Sequence, residues 1–238
     1  MPLPRRVVLA CTSAIAPLHD GHNTGIWINE AQHPFNVFRK AGFEVDLVSE
    51  TGKWGEDWLS MQPDFLNGKD KETYEDRSSE FRSKLDNMLT PDKIDASKYG
   101  IFFASAGHAA LIDYPDAKGL QKIAIQIWTQ GGMVTSVCHG PAIFPGIIDP
   151  ATGKSAAHGK RITGFGTQGE EDMGLSNVLK SWGKPWVEDV AKELEATYVP
   201  APDPWADFHV VDSRVVSGTN PSSAQGTAEA IIEVFQRS

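Results

Sequence analysis

Five residues, Met133-Val-Thr-Ser-Val137, read as a buried β-strand, and the chain runs from them without a spacer into Cys138-His139-Gly140-Pro141-Ala142-Ile143-Phe144. Small residues and a Pro at this place open a helix, so the cysteine is set on a strand-to-helix turn. Such a turn belongs at the carboxyl end of a parallel sheet, where a side chain is open on one side and ringed by backbone N–H groups on the other. The rest of the chain has the rhythm a parallel sheet needs. Arg6-Val-Val-Leu-Ala-Cys11 reads as a strand, followed by a polar loop through Gly21-His-Asn23-Thr24. From Gly25 to Lys40 the apolar positions Ile26, Trp27, Ala31, Phe35 and Phe38 recur at helical spacing, with Thr24 as cap, Gly42 past the end and Pro34 predicting a kink or break. Phe43-Glu-Val-Asp-Leu-Val-Ser49 then alternates as a strand does. This βαβ opening predicts parallel pairing and a right-handed crossover.

The rhythm is interrupted at residues 51–97, rich in charge, Trp and Gly, with a short helix predicted from Glu75 to Met88. This stretch is read as a cap-like insertion, over one sheet edge or as a lid, without a core of its own. Tyr99 to Ser105 resumes as a strand, Ala106-Gly107-His108 as a turn, and Ala117 to Gln130 as a helix ending at Gly131-Gly132. Downstream, Arg161 to Phe165 reads as a strand, Glu188 to Glu195 as a helix, His209 to Ser217 as a hairpin turning near Asp212-Ser213, and Ser222 to Gln236 as a final helix. The pattern is α/β, with residues 1–238 expected to form one domain.

Composition narrows the functions open to this chain. Hydrophobic residues at 40% and charged residues at 22% are those of a globular protein rather than a disordered one. The net charge of −9 and the lack of clustered Lys and Arg argue against a nucleic-acid ligand. No apolar stretch approaches a bilayer span, and the run Val7 to Cys11 fits a first strand better than a signal peptide. A cytoplasmic location is expected, with the nucleus also open, and no membrane partner. Two cysteines make neither a disulfide framework nor a CxxC zinc site, and no His/Cys/Asp cluster has zinc or iron spacing along the chain. No metal or cofactor is therefore expected.

Ala104-Ser-Ala-Gly107-His108 together with Val137-Cys138-His139-Gly140-Pro141-Ala142 closely resembles the class I glutamine amidotransferase-like superfamily, in the branch of fungal heat-shock chaperones that are glutathione-independent glyoxalases (glyoxalase III). The resemblance extends through Gly25 to Glu30, His33-Pro34-Phe35-Asn36, Glu44 to Lys53, Asp64-Phe-Leu-Asn-Gly68, Gly164 to Glu170 and Val216 to Ser223. It implies a flavodoxin-like three-layer sandwich with a mostly parallel sheet and helices on both faces. It also implies a catalytic group of Cys138, His139 and Glu170, a second glutamate, Glu30, beside the thiol, an oxyanion hole from Gly107 and the His139 backbone N–H, and a homodimer. Amidotransferases of the superfamily carry a late His-x-Glu element, and neither His158 nor His209 is followed by one.

Each of these residues also has an ordinary reading. Most free cysteines are small buried hydrophobes, which suits Cys11 in its apolar strand; the turn around Cys138 favours a thiolate formed more easily than in a free peptide. His139 could cap a helix, but beside a nucleophile it reads as the base. Glu170 sits in the charge run Gln168-Gly-Glu-Glu-Asp172, and its preference over Glu171 rests on the resemblance. Glu30, between Trp27 and Phe35, is expected to be protonated and hydrogen-bonded to the sulfur. His108 lines the pocket or bonds to backbone; His22 and His33 read as structural polar groups, and Trp54 and Trp58 as packing that could also serve as a substrate cage. The expected activity is conversion of a small dicarbonyl, methylglyoxal, to D-lactate. The alternatives are a chaperone, a deglycase or redox sensor using the same cysteine, and, lowest, a peptidase.

Overall fold

The computed structural model describes residues 2–237. In chain order its elements are β1 (Arg6–Cys11), β2 (Ala16–His19), β3 (His22–Thr24), α1 (Ile28–Lys40), β4 (Glu44–Ser49), α2 (Gly68–Glu75), α3 (Glu80–Asp86), β5 (Ile101–Ala104), α4 (Ala110–Asp113), α5 (Lys118–Thr129) and β6 (Met133–Val137). There follow β7 (Ile148–Asp149), β8 (Lys154–Ser155), β9 (Arg161–Ile162), α6 (Thr167–Asp172), α7 (Ser176–Ser181), α8 (Val187–Glu193), β10 (Thr197–Tyr198), β11 (His209–Asp212), β12 (Val215–Gly218) and α9 (Ala224–Gln236). The central sheet has the order β11-β12-β6-β5-β1-β4 and is parallel except for β11, which pairs antiparallel with β12. Strands β5 and β6 are buried along their whole length, as expected for a parallel sheet covered on both faces. Helices α1 and α9 pack on each other and on the sheet, while α5 packs on β5 and β6. This is the expected flavodoxin-like α/β sandwich.

Several local expectations are corrected. Helix α1 starts at Ile28 rather than near Thr24, because the preceding residues are drawn out as extended chain: Ile26 N–H donates to Gly55 O at 2.7 Å and Trp27 N–H to Ala106 O at 2.8 Å. Helix α1 runs through Pro34 without a break, the helix being buried on that side by Phe35, Phe38 and Ala31. The expected polar loop before it is the β2–β3 hairpin, closed by Asp20 (φ 49°) and Gly21 (φ 86°), the two left-handed positions of a type I′ turn. The single helix expected from Glu75 to Met88 is two, since Ser79 Oγ accepts from Arg82 N–H at 3.2 Å and caps a fresh start. After Cys138 the chain forms a 3₁₀ helix, Gly140–Gly146, in place of an α-helix; Pro145 has no N–H to give the carbonyl of Pro141. The strand expected from Arg161 to Phe165 contracts to β9.

The insertion lies between β4 and β5, and its α3 packs on α1 and on the edge strand β4. Asp46 of β4 ties it down, bonded by Lys84 of α3 at 3.0 Å, Arg6 at 2.7 Å and the Tyr99 hydroxyl at 2.8 Å. Leu66, Tyr74, Phe81 and Leu85 join the same apolar core as the strands. A covered edge cannot recruit another strand. Among the described residues no helix is long and apolar enough to cross a membrane.

Candidate active site

Cys138 follows β6 directly and is held in the left-handed region at φ 57°, a conformation that a side-chain-bearing residue keeps only when its surroundings enforce it. Two backbone bonds enforce it: Cys138 N–H donates to Gly218 O and Phe165 N–H donates to Cys138 O, each at 3.0 Å. The backbone turn throws Sγ to within 3.2 Å of His139 Nδ1. On the far side of that ring, Nε2 meets Glu170 Oε1 at 2.7 Å, and the second oxygen of Glu170 meets His108 Nε2 at 3.0 Å. Cys138 and His139 thus come from the end of β6, His108 from the turn after β5, and Glu170 from α6. All four side chains are at most 4% exposed.

Burial alone would raise the Glu170 carboxyl, but the charges and hydrogen bonds of His108 and His139 outweigh it and hold it at about 2. A carboxylate accepts only, so both Nε2 atoms donate to it. His139 then presents the lone pair of Nδ1 to the sulfur. Burial and the neighbouring His108 depress His139, while His108, although buried, is raised by Glu170. Of the two imidazoles His108 is therefore the more readily protonated, and His139 stays a neutral base.

Glu30, in the first turn of α1, is fully buried, and neither carboxyl oxygen makes a well-formed hydrogen bond among the described residues. Burial pushes it up to about 8, against the thiol of Cys138 and the His108 imidazole, which pull it down. It is protonated at neutral pH and lies against the sulfur. Against the expectation of an easily ionised thiol, burial first and then the carboxyls of Glu30 and Glu170 push the Cys138 thiol up, with the His139 backbone N–H pulling the other way. Glu30 and Cys138 thus share protons as a pair, and the resting sulfur is a thiol.

The sulfur opens onto a narrow cleft lined by Trp27, His108, Cys138, Phe165, Met173, Trp205 and Pro221. Gly107 sits at its rim with φ 141°; a Cβ there would stand 2.2 Å from Gly25 O, so only glycine lets the two backbones approach. The Gly107 N–H has no partner among the described residues. His22 stacks on Trp58, centroids 4.2 Å apart, and His33 pairs with Asp70 at 2.8 Å, both away from the sulfur. Cys11 is sealed in β1, its thiol pushed up to about 12 by burial. The cleft walls Phe165, Met173 and Trp205 were not singled out from sequence, being separated along the chain without a pattern. Spacing along the chain also hid the fact that the metal-competent atoms of His108, His139 and Glu170 lie within 4.8 Å of one another. In this group the Nε2 atoms of both imidazoles are already bonded to Glu170.

No protein-family model matches the chain. It is 48% identical over 234 residues to the glutathione-independent glyoxalase HSP31 of Saccharomyces cerevisiae, covering 98% of this chain and 99% of that protein. It is 47% identical over 232 residues to Glyoxalase 3 of Candida albicans, covering 97% and 98% respectively. The crystal structure of glyoxalase III from Candida albicans superposes with a TM-score of 0.95 at 46% identity, covering 98% of both chains. With near-complete coverage of both partners at this identity, the chain belongs to the glutathione-independent glyoxalase family.

Proposed function

We propose that this chain converts methylglyoxal to D-lactate without glutathione, using Cys138 as nucleophile, His139 as base and Glu170 to orient it. The observation that carries this reading is the line from sulfur to imidazole to carboxylate, 3.2 Å and 2.7 Å, at a narrow cleft. So narrow a cleft suits a small substrate such as methylglyoxal better than an extended peptide, which disfavours the peptidase alternative.

The Cys138 proton moves to His139 Nδ1 as the sulfur bonds to the aldehyde carbon, so a free thiolate never accumulates. The resulting oxyanion is held by the N–H groups of Gly107 and His139 and takes the proton back from His139 Nδ1, giving a hemithioacetal and restoring the neutral base. His139 removes the hydrogen of the former aldehyde carbon, forming an enediol, and a proton returns to the neighbouring carbon. The product is a lactoyl thioester on Cys138. Water adds to its carbonyl, the C–S bond breaks, and the sulfur regains a proton. The sum is methylglyoxal plus water giving lactate as its acid, with no electron donor or acceptor consumed. Glu30, protonated, donates to the sulfur during the thiolate-like stages.

The test is D-lactate formation from methylglyoxal in the absence of glutathione. Wild type should produce it, Cys138→Ala should produce none, and Glu170→Ala should lose roughly 10²- to 10⁴-fold. D-lactate formed at the wild-type rate by Cys138→Ala would overturn the proposal.

A further inference from the structure

A second cluster stands behind His108. His19 closes β2 beside the Asp20-Gly21 turn, Asp57 comes from the insertion, and His108 from the turn after β5. They are 8%, 0% and 3% exposed, and one ligand-competent atom of each lies within 4.8 Å of the others. His19 Nε2, Asp57 Oδ2 and His108 Nδ1 are all buried without a hydrogen-bond partner among the described residues. Unpaired polar atoms in an interior are rare and costly, and here three converge.

The opposite atom of two of these groups is fixed, which aims the free one. Asp57 Oδ1 accepts from Ser60 N–H at 3.1 Å, and His108 Nε2 donates to Glu170 at 3.0 Å. A cation that displaces the Nδ1 proton of His108 meets a lone pair aimed at the cluster, and a carboxylate on the far side of a ligating imidazole is the usual support for a metal-bound histidine. His19 Nε2 and Asp57 Oδ2 are 3.6 Å apart, beyond a good hydrogen bond. Ligands about 2.0–2.2 Å from a tetrahedral ion are separated by roughly 3.3–3.6 Å, which that spacing meets.

We propose that His19, Asp57 and His108 bind one divalent transition-metal ion of the zinc class. Two imidazoles and one carboxylate select zinc, cobalt or nickel over magnesium and calcium. The ion holds the His108 ring with Nε2–H on Glu170 and so positions the carboxylate that orients His139. The site is separate from the glyoxalase reading, because binding is measured without turnover.

The probe is Co²⁺ titrated into chelator-stripped full-length protein, followed by visible absorption and equilibrium dialysis. Wild type and Cys138→Ala should each bind one Co²⁺ with ligand-field bands, no thiolate charge-transfer band, and no displacement by excess Mg²⁺. His19→Ala should bind on the order of 100-fold more weakly. Zn²⁺ should raise the melting temperature of wild type and leave that of His19→Ala unmoved. Asp57→Asn, which keeps the acceptor for Ser60, should behave like His19→Ala; if it fails to fold, His19→Ala decides alone. Equal affinity in wild type and His19→Ala, absence of saturable binding, or binding that disappears in Cys138→Ala would each overturn the proposal.

Discussion

Replacing Glu30 by Gln should make the protein more stable and less active, and the size of the gain should depend on pH. Glu30 is fully buried, and its carboxyl is raised from 4.5 to about 8, chiefly by burial. The folded chain therefore keeps a proton that the unfolded chain has released. Between these two values the unfolded state binds fewer protons than the native one, so stability falls as pH rises. The associated stability is fully present below 4.5 and lost as pH climbs through the folded value. At 1.36 kcal/mol per pH unit the full loss is about 5 kcal/mol, and at pH 7 about 3 kcal/mol of it has been incurred. Against a typical total of roughly 5–15 kcal/mol, that is a large share.

Gln has the shape of the protonated carboxyl and no proton to lose, so Glu30→Gln removes the pH-dependent cost while keeping the packing. For a chain of this length about 3 kcal/mol corresponds to a rise of roughly 6–12 °C in melting temperature. The assay is thermal unfolding of wild type and variant across the range from mildly acid to mildly alkaline. The two should melt within a few degrees of each other near pH 5 and diverge steadily above it. The Cys138 thiol, now without a neighbouring acid that can become anionic, should titrate lower when followed by the pH dependence of alkylation. Parallel melting curves across the range would refute the reasoning, because a Glu30 that keeps its ordinary ionisation carries no such penalty.

Glu170→Gln should act in the opposite sense. Its carboxyl is depressed to about 2 by His108 and His139 in spite of burial, so it contributes about 3 kcal/mol above pH 4.5 that is lost as pH falls toward 2. The variant should be less stable at neutral pH, with a shallower acid limb in denaturant titrations. Alkylation by iodoacetamide under native conditions, mapped by mass spectrometry, should modify Cys138 at the cleft and spare Cys11, which has no exposed surface. Asp46→Ala should lower stability by about 3 kcal/mol in chemical unfolding, because it strands Arg6, Lys84 and Tyr99 around a removed charge.

Local patterning carried the sheet, because period-two and helical spacings are properties of short windows; the βαβ opening and the Cys138 turn are of this kind. One local signal went unread: Asp20-Gly21 between short strands marks a type I′ hairpin, and that hairpin delivers His19 to His108. The helix expected over Glu75 to Met88 failed for a competing local reason, the capping preference of Ser79. The site itself depends on closures of tens of residues that no window contains. Glu170 and Glu171 are indistinguishable by type, but successive residues on α6 point about 100° apart, and only Glu170 turns inward, to two imidazoles, while Glu171 is exposed. The thiol shows the same principle acting on chemistry. Its neighbours in sequence, a turn and a helix start, argue for easy ionisation; its neighbours in space, Glu30 and Glu170 in a buried setting, argue against it and win. A nucleophile that must stay protonated at rest needs its base in permanent contact, and the 3.2 Å spacing to a neutral His139 meets that requirement.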